Sequence, residues 1–111
     1  MKISEKFVSG VVVLGLEGSL MGGPEAVLLN ETLNRFLDEE KLKLVINLEN
    51  VERVNSSGLG ILIKALTTFK SNGGELKLTN VRPNMDKLLV MTKLNTILET
   101  YNSEEAAINS F

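Results

Sequence analysis

Two adjacent serines, Ser56 and Ser57, stand in the stretch VNSSGLG, where the apolar run KLVINL gives way to ILIKALTTFK. A serine hydroxyl at such a point serves as a nucleophile, a phosphoacceptor or a helix cap. The chain contains no histidine and no cysteine, which removes Ser-His-Asp catalysis, histidine-ligated zinc and thiolate chemistry together. A nucleophile elbow requires glycine two residues before the serine, and Val54 and Asn55 hold those places. A phosphate-binding loop ending in Gly-Lys-Ser/Thr does not occur, and Lys64 lies two turns along the following helix. What remains is a hydroxyl pair at a helix N-terminus, where free N–H groups and the helix dipole favour negative charge. Gly58 and Gly60, in the first turn, each cost up to ~1 kcal/mol relative to alanine. Their presence predicts a close approach to the backbone there.

The elements that must position these serines follow from periodicity. KISEKFV and VVVLGLEG read as two strands joined by a tight turn at Ser9-Gly10, an antiparallel hairpin. GGPEAVLLNETLNRFLDEE reads as a helix with Pro24 in its first turn and Ala26, Leu29, Leu33, Phe36 and Leu37 on one face. KLKLVINL is apolar on both faces and is expected at the centre of the sheet. The helix after the serines should bury Leu59, Leu62, Ile63, Leu66 and Phe69, with a left-handed cap at Gly73 or Gly74. ELKLTN is a fourth strand, RPNMDKLLVMTKL a short helix entered through Pro83, and TILETY a weak strand. SEEAAINSF is a terminal helix capped by Ser103. Helical spacing places Met85 and Met91 in the core, and Asp38-Glu39-Glu40 reads as a solvated helix end. The predicted architecture is α/β: a mixed sheet of four or five strands with about four helices packed on it, in one domain spanning residues 1–111.

Composition bounds the function classes. A net charge of −2 and a pI near 5.2 argue against a nucleic-acid footprint, which is normally a basic face. No apolar run approaches the ~18 residues that span a bilayer, and MKISEKF lacks the apolar core of a signal peptide. The expectation is a cytoplasmic protein without direct membrane insertion, and no cofactor is implied.

VINLENVERVNSSGLGILI resembles the core signature of STAS domains, specifically the stand-alone anti-sigma factor antagonists of bacteria. The likeness extends over essentially the whole chain, through EGSL, GGELKLTNV and PNMDKLLVMTKL. It implies a non-enzymatic binding module. Ser56 corresponds to the family's phosphoacceptor, which is modified by a partner serine kinase that is also the anti-sigma factor and is restored by a serine phosphatase. The resemblance also brings Met21, Gly22 and Gly23 beside the serine loop, so that they join Asn55, Ser57 and Gly58 as the expected partner-binding set. Ser57 is expected to cap the helix. Two positions depart from the family's pattern: Asn55 and Met21 stand where the family usually has aspartates. Two further functions stay open, an unphosphorylated accessory subunit docking on the ATPase of a transport complex, and a small nucleotide hydrolase using the helix-end anion site.

Overall fold

The chain starts with a hairpin that matches the alternation in its sequence. β1 (Lys2–Val8) pairs antiparallel with β2 (Val11–Leu20), and Val8 faces Val11 across a two-residue turn. Both turn residues, Ser9 and Gly10, have positive φ, the primed turn whose twist matches the flanking strands. In this computed structural model, which describes residues 1–111, the order continues with α1 (Pro24–Asp38), β3 (Lys43–Val54), α2 (Ser56–Ser71), β4 (Glu75–Thr79) and α3 (Pro83–Met91). A 3-10 turn (Leu94–Thr96), β5 (Thr100–Tyr101) and α4 (Glu104–Asn109) complete it. The five strands lie in the order β1-β2-β3-β4-β5, with every neighbour after the hairpin parallel. β3 is central, as its two apolar faces predict.

Alternation along the strands separates two unequal cores. Leu14 and Leu16 of β2, Leu44, Ile46 and Leu48 of β3, and Leu76 and Leu78 of β4 face one side. There they meet Leu29, Leu33 and Phe36 of α1, Leu59, Leu62, Leu66 and Phe69 of α2, and Met85 and Leu89 of α3, in a cluster of 21 buried residues. The other face carries Val11, Val13 and Val45 and is covered by Ala107 of α4, with Tyr101, Ile108 and Phe111 at its edge. Lys77, only 5% exposed, lies on this second side. Its ammonium donates to the Ser110 carbonyl and hydroxyl oxygens at 3.1 and 2.7 Å and stands 4.4 Å from the Phe111 ring centroid.

Two expectations are corrected. TILETY is not a strand along its length: its first residue lies in the 3-10 turn, and only Thr100 and Tyr101 pair with β4. Met91 is 70% exposed rather than core. Met85 and Leu89, four apart, take the buried face of α3, and Met91 lies two residues or ~200° further round. Of the two glycines expected to cap α2, Gly73, with φ of 79°, is the left-handed one.

The register places the serines. β3 pairs with β4 only as far as Asn47 opposite Thr79, but with β2 as far as Val54 opposite Leu20. β2 and β3 therefore outrun β4 by roughly 20 Å and β1, which ends opposite Glu17, by roughly 10 Å, as a two-strand tongue. It is twisted by register shifts at Gly15/Glu17 and Gly18/Ser19. Ser56 and Ser57 begin α2 at the tip of this tongue, and Met21 to Gly23 leave its other strand.

Candidate functional site

The serine loop is built by a cap and a close contact. Asn55 is the N-cap of α2, with extended backbone (φ −128°, ψ −175°), and its side-chain Oδ1 accepts a hydrogen bond from the Gly58 N–H at 2.9 Å. The Leu59 N–H donates to the Asn55 carbonyl at 3.0 Å. The capping role expected of Ser57 therefore belongs to Asn55. Asparagine and serine are about equally good caps, and the extended residue sits one place before the first serine. Ser56 and Ser57 are the first two helical residues, both exposed, and neither hydroxyl makes a hydrogen bond within the chain.

Gly58 explains why glycine stands in this first turn. A β-carbon there would lie 2.7 Å from the Leu20 carbonyl carbon and closer still to its oxygen, so α2 begins in direct backbone contact with the end of β2. The close approach predicted from the glycine pair is made by the protein's own strand. Gly58 is buried in this contact and positions the loop from beneath, while Gly60 is exposed with open space around it.

The loop after β2 forms the other half of the site. Gly22 and Gly23 have φ of 102° and 67°, a conformation that L side chains rarely adopt. A β-carbon on Gly22 would lie 3.2 Å from the Ser57 β-carbon, so this loop runs alongside the serines. Met21 precedes it and is 42% exposed. The structure thus brings Met21, Gly22, Asn55, Ser56 and Ser57 to one rim. No acid lies in the first turn of α2, and no member of this rim is titratable. The site is neutral, presents a helix N-terminus, and offers two free hydroxyls for group transfer or contact.

The profile of the STAS domain matches residues 2–107. The chain belongs to the STAS domain family. Among its relatives, the anti-sigma F factor antagonist of Paenibacillus polymyxa is 28% identical over 102 residues, covering 89% of this chain and 85% of that one. A candidate anti-sigma factor antagonist from Thermotoga maritima superposes with a TM-score of 0.88 at 26% identity, over 97% of this chain and 92% of the other. The Bacillus cell fate determinant SpoIIAA in its phosphorylated form shares the fold with a TM-score of 0.74 at 21% identity, over 98% of each chain. No helix of this STAS domain is long and apolar enough to cross a membrane.

The loop of Met21–Gly23 lies beside the serines as the resemblance implied, and the cap is Asn55 rather than Ser57. Ile61, and Lys64, which was weighed only as too distant to activate a serine, line a groove one to two turns along α2 from the serines. Their signal was available: both fall between the buried positions Leu59, Leu62 and Leu66 of α2.

Proposed function

We propose that this protein is an anti-sigma factor antagonist whose grip on its partner is set by the charge on Ser56. Unmodified, it binds an anti-sigma factor that is also a serine kinase; phosphorylated, it releases that partner; a serine phosphatase resets it. The observation that carries the reading is the free, exposed Ser56 hydroxyl at the N-terminus of α2, on a rim without charge. The names of its relatives supply the partner class.

The energetics favour a switch without refolding. A phosphate adds about −1.5 to −2 charge and three acceptor oxygens. In the free domain the helix N-terminus stabilises that charge by ~1 kcal/mol. Beneath a docked partner with no added cation, the same dianion costs several kcal/mol. The second effect wins, and at 1.4 kcal/mol per tenfold the complex weakens by about two orders of magnitude or more.

A second reading is supported by Asn55 and Met21, which leave the rim uncharged: a constitutive docking subunit, as on the ATPase of a transport complex. Incubation with ATP and the host's anti-sigma factors, purified singly, separates the two. Phosphate on Ser56, absent from Ser56→Ala, supports the switch. Tight binding to an anti-sigma factor with no phosphate on either serine retires the switch.

A further inference from the structure

α1 and α2 both start at the serine rim and leave a shallow groove between them. Ala26, Leu29 and Leu33 of α1 face Ile61 and Ala65 of α2 across it, and Lys64 stands at its side. Its cavity volume is about 40 Å³, far below the ~300–1,000 Å³ of small-molecule sites. The space suits the end of one inserted side chain. Val27, 60% exposed, lies on α1 at the outer side of Asn30, which lines the groove, and one turn beyond the loop that holds Met21. Ile61 is five residues after Ser56, ~8 Å along the helix axis. The apolar surface is therefore continuous with the rim.

We propose that this groove receives an amphipathic helix of the partner that docks over Ser56, with an aliphatic side chain lodged between α1 and α2 and a carboxylate against Lys64. The inference rests on the switch reading and adds the chemistry of the partner's contact surface.

Three observations lead to this occupant. A stable interface buries about 800 Å² on each side, far more than the rim of Met21, Gly22, Asn55, Ser56 and Ser57 provides, so it must extend over adjoining surface. The groove runs between two helices, and a third helix packs there by setting a ridge of side chains spaced three and four apart into it. Lys64 is exposed, forms no ion pair within the chain, and is the single charge on a lining with no carboxylate. An acidic residue on the incoming helix is its natural complement.

The test uses the full chain and each of the host's purified anti-sigma factors, with binding measured by calorimetry for wild type, Ser56→Asp, Val27→Asp and Lys64→Glu. Val27 and Lys64 are exposed, so their replacement leaves the fold intact, and melting temperatures verify this. We expect Val27→Asp to weaken binding about thirtyfold and Lys64→Glu about tenfold. Lysine in place of the facing partner acid should restore binding to Lys64→Glu. Release by Ser56→Asp with both groove variants binding like wild type overturns the groove and leaves the switch standing. Loss through the groove variants alone retires the switch and keeps the groove. No binding of any anti-sigma factor by the wild-type chain removes both.

Discussion

The two faces of the sheet are held in different ways. The face under α1, α2 and α3 has a continuous apolar core that includes Phe36 and Phe69, the largest fully buried side chains. The face under α4 has four buried apolar residues, and its helix is six residues long, too short to be stable alone. Polar contacts make up the difference. Lys77 holds Ser110, and Glu104 accepts from Asn47 at 2.7 Å while pairing with Lys6 at 2.7 Å. The serine loop belongs to the first face, because Leu59 and Leu62 anchor the start of α2 in the large core. A charge placed on Ser56 therefore meets a fixed scaffold and acts on whatever sits above it. The second face is where the molecule is expected to open first.

This contrast is broken most severely from the first face. Leu62→Ala should destabilise the whole domain by ~2–5 kcal/mol in denaturant melts, as the removal of a fully buried side chain does. A loss below half a kilocalorie would show that α2 is not the keystone. Gly58→Ala should follow, at ~1–3 kcal/mol, by forcing α2 away from Leu20 and separating the two halves of the rim. Its binding should fall along with its stability, and unchanged stability would mean that the contact relaxes freely.

The second face gives smaller, local effects. Lys77→Met should speed amide exchange across α4 about tenfold while leaving α2 protected, because hydrogen bonds worth ~1–2 kcal/mol are lost there alone. Equal acceleration in both helices would show a single cooperative unit. The mildest effect is acid-dependent. Hydrogen bonds from Asn47 and Lys6 hold the Glu104 carboxyl below its ordinary range. A lowered folded-state pKa contributes stability above the unfolded value of about 4.3, and that stability is lost as pH falls through the lowered one. Protection of α4 should therefore decline in acid, below about pH 4, and Glu104→Gln should flatten that decline.

How much of this was legible in the sequence divides along the same line. α1 and α2 each present an unbroken apolar stripe and β3 has two apolar faces, so the large core and the central place of β3 could be read from spacing, while the nearness of Met21–Gly23 to the serines came only from the family resemblance. The second face could not. Lys77 alternates as a solvent-facing residue would, and only the fold brings Ser110 and Phe111 over it. β5 was overread because Lys93, with φ of 62°, turns the chain into a 3-10 segment before Thr100. At the site, Gly58 marks a close approach as its residue type predicted, Gly60 stands in open space, and spacing alone could not say that Leu20 was the approaching group.

The most direct test of the central claim is the affinity of Ser56→Asp for the anti-sigma factor that the wild-type chain binds, with the melting temperature measured on the same samples. The account predicts binding weakened a hundredfold or more, by the desolvation argument above, and a melting temperature unchanged or slightly raised, since an acid at a helix N-terminus is favourable. Affinity equal to wild type would contradict it, because the charge on Ser56 would then not govern the complex.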